Sequence, residues 1–213
     1  MRDFAVALFL GPLAGCGSLC LREATDSPFR DVTVPVGQSV QFTAGWTDLL
    51  SECEMPAPPD LRWSSSAPSI ATIETSGTVR GLQPGTADVV VRAGWRSATR
   101  VITVVPPIAR IVIQPKDTVM AVGDTVMFRA AAYDSAGTPI PQARIALRVI
   151  GVDGSGAMAE GAAGLKGGFF MGRDARRLPP NTLPVLAWRP STGYVIGSLV
   201  GTRDSVKIAA VTH

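Results

Sequence analysis

One stretch of this chain occurs twice, and that repeat constrains the fold more than any single motif. Asp31-Val32-Thr33-Val34-Pro35-Val36-Gly37-Gln38-Ser39-Val40-Gln41-Phe42-Thr43-Ala44 returns 86 residues later, running from Asp117 to Ala130 with Val126 and Phe128 in place of Val40 and Phe42. Self-similarity at a fixed offset means that one kind of unit is built more than once. Both copies end in strict alternation, with Val40, Phe42 and Ala44 on one side and Val126, Phe128 and Ala130 likewise. A period of two with polar residues between predicts a half-buried strand, one face on a core and one in water. The same offset sets Leu61-Arg62-Trp63 on Leu147-Arg148-Val149 as a second strand.

Further along, the offset changes to 116. Gly77-Thr78-Val79-Arg80-Gly81 then matches Gly193-Tyr194-Val195-Ile196-Gly197, Gly85-Thr86 matches Gly201-Thr202, and Ile70-Ala71 matches Leu186-Ala187. The second unit is thus expected to carry about 30 extra residues between Ile150 and Leu183. Glycines recur where tight turns between short strands need a positive φ.

The fold class is expected to be all-β, with two tandem sandwiches. The 22 Gly and 17 Pro supply many turns, and 46% hydrophobic residues suffice for cores. Turn signals every 8–12 residues and no sustained helical period point the same way. Strands are expected near 38–44, 60–65, 69–73, 77–82, 86–93 and 97–105, then near 109–114, 124–132, 143–150, 183–188, 193–197 and 205–211. Pro106-Pro107 is a short, stiff linker. The second unit is expected to end one strand early, leaving 205–211 as an open edge suited to β-augmentation, unless the insertion supplies the missing strand.

Trp63-Ser64-Ser65-Ser66, Ile70-Ala71-Thr72-Ile73, Gly77 to Leu82 and Pro84-Gly85-Thr86-Ala87, preceded by Val36-Gly37-Gln38-Ser39-Val40, resemble the bacterial immunoglobulin-like domain, group 2, of invasin- and intimin-type surface proteins. The likeness covers 31–105 well. In the second unit it covers only 108–149 and 184–211, with Val149 where the pattern has Trp. It implies small sandwiches of about seven strands, tandem arrangement, an extracytoplasmic setting and a role as spacer, adhesion or accessory module. Its motif marks core and turns, not catalysis.

The N-terminus reads as an address. Residues 4–10 form an apolar run too short to span a bilayer, followed by Leu13-Ala14-Gly15-Cys16. That tetrapeptide resembles the lipobox of bacterial lipoproteins, which implies a signal peptide over 1–15 and lipidation of Cys16. The run also fits an ordinary secretory signal or a retained apolar strand. Residues 16–30 are then a tether, 31–105 the first domain, 106–107 the linker and 108–213 the second domain. Cys20 and Cys53 are left as one possible disulfide in an oxidising compartment, two free thiols being the alternative.

Few sites stand out. The insertion near 151–182 carries eight glycines up to Gly172, then Phe169, Phe170 and Met171, then Arg173, Arg176 and Arg177. Apolar residues beside arginines on a loop suit a protein interface; the same residues also fit a floppy excursion or an added hairpin packed on the sandwich. Trp46, Trp95 and Trp188 are candidate sugar-stacking platforms or rim packing, while the resemblance places Trp63 in the core. Asp48, Glu52, Glu54 and Asp60 lack the spacing of a calcium loop. The single histidine is His213, which closes the Ser-His-Asp, Cys-His and two-histidine zinc routes. No G-x-S-x-G or phosphate-loop motif occurs. A net charge of +3 does not argue for nucleic acid. The expectation is a non-enzymatic, lipid-anchored envelope protein without cofactor or metal. It would contact protein partners and the membrane; a polysaccharide-binding module is the alternative.

Overall fold

The computed structural model describes residues 18–23, 32–47, 60–151, 158–159, 169–171 and 178–212, and these are strands and turns with no helix. The first unit comprises β1 (Ser18–Glu23), β2 (Val32–Pro35), β3 (Ser39–Thr47), β4 (Leu61–Ser65), β5 (Ala71–Ile73), β6 (Thr78–Gly81), β7 (Gly85–Ala93) and β8 (Arg96–Val105). They form two four-stranded sheets, β1-β3-β6-β5 and β2-β8-β7-β4. These are the A-B-E-D and C-F-G orders of an immunoglobulin sandwich, with β2 added in parallel beside β8.

The second unit comprises β9 (Arg110–Gln114), β10 (Thr118–Ala121), β11 (Thr125–Tyr133), β12 (Ala146–Gly151), β13 (Met158–Ala159), β14 (Phe169–Met171), β15 (Thr182–Ala187), β16 (Ser191–Leu199) and β17 (Thr202–Val211). Its sheets run β13-β14-β15-β11-β9 and β10-β17-β16-β12. Strand for strand the path repeats that of the first unit, and β13 is the addition.

Alternation along the strands builds each core. Val40, Phe42 and Ala44 are buried on β3 while Thr43 is exposed; Phe128 and Ala130 are buried on β11 while Met127 and Arg129 are exposed. Phe42 packs with Val34, Val79, Val89 and Ile102. Phe128 packs with Ile113, Met120, Ile145, Val185 and Ile208. Each fully buried side chain of this size contributes about 1.5–3 kcal/mol, so one phenylalanine is a large part of either core.

The strand pairing corrects the second half of the repeat. Val40 faces Val79 across β3 and β6, and Val126 faces Val185 across β11 and β15. β15 is therefore the counterpart of β6, and the offset there is 106 rather than 116. β16, which holds Gly193 and Gly197, pairs with β12 and β17 and is the counterpart of β7. Those two glycines lie inside a strand, not at turns. Trp63 stands opposite Val91, two residues before the closing Ala93–Arg96 pair. The same station in the second unit is Leu147 opposite Gly197, two residues before the closing Leu199–Thr202 pair. Leu147, not Val149, thus replaces the tryptophan. A Cβ on Gly197 would sit 3.2 Å from Ile113 and Ile145 and 3.3 Å from Leu147. Smaller side chains close the gap that Trp63 fills in the first unit.

The expected open edge is also corrected. β17 is the last strand of its sandwich, the counterpart of β8, and is hydrogen-bonded on both sides, to β10 and β16. Neither a partner strand nor the insertion is needed there. At the other end, part of the expected tether is structured: Ser18–Glu23 forms β1 and pairs with β3 from Ser18–Thr47 to Glu23–Phe42.

The units touch across the Pro106-Pro107 connection. Val105 is 1% exposed and belongs to the second unit's core. Thr33 is buried, and its Oγ1 accepts a hydrogen bond from the Arg144 N–H at 3.1 Å. The same hydroxyl points to the Gln142 carbonyl at 3.5 Å.

Candidate functional sites

The insertion is partly sheet. Phe169, Phe170 and Met171 form β14, in register with Ala187, Leu186 and Val185 of β15. They occupy the place that Ala71–Ile73 fills beside β6 in the first unit. The backbone of the Phe-Phe-Met segment is thus committed to the sandwich, unlike a free loop. Arg173, Arg176 and Arg177 lie outside the described residues, as does most of the glycine-rich stretch. A cavity of about 440 Å³ opens beside the end of this connection, between Arg129, Tyr133, Pro180 and Asn181.

Asn181, which the repeat does not single out, closes the connection. Its backbone is left-handed, at φ 60°, and its amide bridges the loop before β12. Nδ2 donates to the Ala143 carbonyl and Oδ1 accepts from the Ile145 N–H, each at 2.7 Å. Its carbonyl accepts from the Ala130 N–H at 2.9 Å. Asparagine suits this station because it tolerates positive φ and its short amide reaches nearby backbone. The Pro179-Pro180-Asn181 run is the signal that marks it as a turn.

The tip of the β7–β8 hairpin presents an indole. Trp95 is 88% exposed, and the Arg96 guanidinium lies 4.7 Å from its ring centre and 5.0 Å from that of Trp46. One cation thus faces two rings, each contact contributing about 0.5–1 kcal/mol at an exposed site. Trp46 is half-buried at the end of β3 and packs with Leu19 and Val91. Trp63 packs against both core clusters of the first unit. Trp188 is 54% exposed. The three candidate platforms are therefore not equivalent: Trp95 and Trp188 are exposed, and Trp46 is largely packing.

Cys20 is disulfide-bonded. Its sulfur lies 3.1 Å from the Gly45 carbonyl; without a thiol proton this is a close contact and not a donated hydrogen bond. Cys16 and Cys53 lie outside the described residues. So do Asp48, Glu52 and Glu54, whereas Asp60 is exposed at the start of β4. Among the described residues no group of three His, Cys, Asp or Glu side chains converges on a metal-sized site.

The sheet orders define an immunoglobulin-like sandwich, built twice. Residues 27–104 match the family model of the bacterial Ig-like domain (group 2). β1 pairs into the fold from ahead of the matched segment. Among solved structures, domains 4 and 5 of the S-layer protein SbsC align at 16% identity over 92% of this chain and 98% of that one, with a TM-score of 0.36. The Yersinia pseudotuberculosis adhesin InvE aligns at 14% identity over 94% of this chain and 61% of that one, with a TM-score of 0.38. The chain spans 28% of the SbsC structure that holds domains 1–6. No curated protein sequence matches the chain.

Proposed function

We propose that this is a non-enzymatic, lipid-anchored protein of the cell envelope that acts by contact with other proteins, in adhesion or as an accessory subunit of a larger envelope or membrane complex. The observation that carries this reading is the bacterial Ig-like domain over 27–104, a scaffold whose signature residues serve core and turns. In this reading residues 1–15 are a signal peptide and Cys16 is acylated. The tether is short, because β1 begins at Ser18. The first sandwich runs to Val105, Pro106-Pro107 links it to the second, and 108–213 is the second domain. Cys53 is the proposed disulfide partner of Cys20: β1 lays Cys20 opposite Gly45, at the end of β3 that leads into the segment carrying Cys53.

The proposed contact surface is the arginine-bearing part of the insertion, Arg173, Arg176 and Arg177, next to the Phe169-Phe170-Met171 strand. Cross-linking in envelope fractions followed by pull-down tests it. Replacing the three arginines with serine is expected to release partners while leaving the melting temperature unchanged. An unchanged set of partners sinks this surface. Mass spectrometry of the mature N-terminus is expected to find acylated Cys16, and an unmodified Met1 removes the anchor.

A second reading, binding of cell-surface polysaccharide, is favoured by the exposed Trp95 face held by Arg96. Indoles of this kind stack on sugar rings. A glycan array in which Trp95→Ala loses every signal supports it, and a blank array for the parent protein ends it.

A further inference from the structure

We propose that the groove between the two sandwiches binds an anionic saccharide, through a carboxylate or phosphate carried on a sugar ring. The groove encloses about 430 Å³ and draws its lining from both units, a volume within the range of small-ligand sites. Arg144, Arg148 and Arg203 line it, and no lining residue is acidic.

The sheet register explains how these cations meet. Ala146 pairs with Ser198, and Ser198 pairs with Arg203, so the three stand in one row across β12, β16 and β17. Arg148 is two residues beyond Ala146 on β12 and emerges on the same face. Arg203 stands two strand spacings from β12, about 10 Å. Arg144 enters from the loop before β12, fixed through its own N–H to Thr33 of the first unit. Arg148 and Arg203 are exposed and Arg144 is half-buried. None of the three side chains has a carboxylate partner among the described residues.

Three guanidiniums around one concavity, with no carboxylate against them among the described residues, repel each other, and an anion placed among them removes that cost. Arginine forks match carboxylate and phosphate oxygens in bidentate geometry. The remaining lining is suited to a sugar rather than a bare ion. Ser198 and Thr202 offer hydroxyls, and Ala146 and Leu199 offer apolar surface of the kind a pyranose face covers. The groove is also far roomier than a single inorganic anion requires.

The test is isothermal titration of the full mature chain at low salt with four probes: tetragalacturonate, glucose 6-phosphate, neutral maltotetraose and inorganic phosphate. Saturable binding of one or both charged sugars is expected, weakening as salt rises, with none of the neutral one. Which charged sugar binds more tightly tells carboxylate from phosphate as the source. The R148A/R203A variant, which alters exposed side chains only, is expected to lose at least about tenfold in affinity, the scale of a lost charge-assisted contact. Trp95→Ala is expected to leave this binding intact, which separates the groove from the hairpin tip. Absence of binding by either charged sugar, unchanged affinity in R148A/R203A, or inorganic phosphate binding as tightly as the sugars would each overturn the proposal.

Discussion

The two sandwiches take the same path through space and close it with different residues. In the first, Trp63 spans the gap between sheets and a tight turn joins β5 to β6. In the second, Leu147 and Gly197 leave room that Ile113 and Ile145 fill, and a long excursion carrying β13 and β14 joins β12 to β15. Yet β3 and β11 use the same pattern, with Phe42 and Phe128 both fully buried. The alternating central strand is thus what defines the fold, whereas the connections between strands are free to diverge.

The largest effects should come from what the units share. Phe42→Ala and Phe128→Ala each remove a fully buried ring and should cost about 3–5 kcal/mol in their own unit. Urea unfolding followed by tryptophan fluorescence reads this. Trp46, Trp63 and Trp95 belong to the first sandwich and Trp188 to the second. If either substitution lowers both transitions equally, the two cores are one cooperative body and the comparison fails.

Next in size are the residues that close each unit in its own way. Gly77 sits at φ +87°, and a Cβ there would clash with the Phe42 carbonyl oxygen. Gly77→Ala should cost about 2–4 kcal/mol through strain and displaced backbone. Asn181→Ala removes two hydrogen bonds to the Ala143–Ile145 loop and should cost about 2–3 kcal/mol. Each should lower only its own unit's transition in the same denaturation experiment. A neutral Asn181→Ala would mean that the second connection is held by something other than this amide.

Between these lies the junction. Val105 ends the first unit's last strand but packs in the second unit's core. Val105→Ala should cost about 1–3 kcal/mol, felt in the second transition. Loss in the first transition instead would show that the side chain serves the unit its strand belongs to.

How much of this was legible in the sequence follows from where the repeat is strict. Val40, Phe42 and Ala44 alternate so regularly that β3 and its burial could be read directly, as could the β7–β8 hairpin. The family resemblance rests on neighbouring motifs, from Val36 to Val40, Trp63 to Ser66, Ile70 to Ile73, Gly77 to Leu82 and Pro84 to Ala87. The second half of unit two misled because Gly193-Tyr194-Val195-Ile196-Gly197 imitates Gly77-Thr78-Val79-Arg80-Gly81 letter for letter at three positions. Pairing partners, which distinguish β16 from β15, are a long-range property that local similarity does not carry. Strands β1, β2 and β10 were missed for a related reason. They are short edge strands, defined by the strand beside them more than by their own pattern. The groove at the junction was invisible for the same cause: Arg203 lies 55 residues beyond Arg148 in the chain, and only the β12-β16-β17 register brings the two to one face.

The smallest expected effect is also the most discriminating for the hairpin tip. Trp95 is 88% exposed, and its structural partner is the Arg96 guanidinium, which also faces Trp46. Removing the indole leaves Arg96 one of its two rings and uncovers little apolar core. Trp95→Ala should therefore cost no more than about 1 kcal/mol, the scale of the one exposed cation–π contact it removes. A larger loss would mean that the ring props the β7–β8 turn and that its exposure has a structural origin.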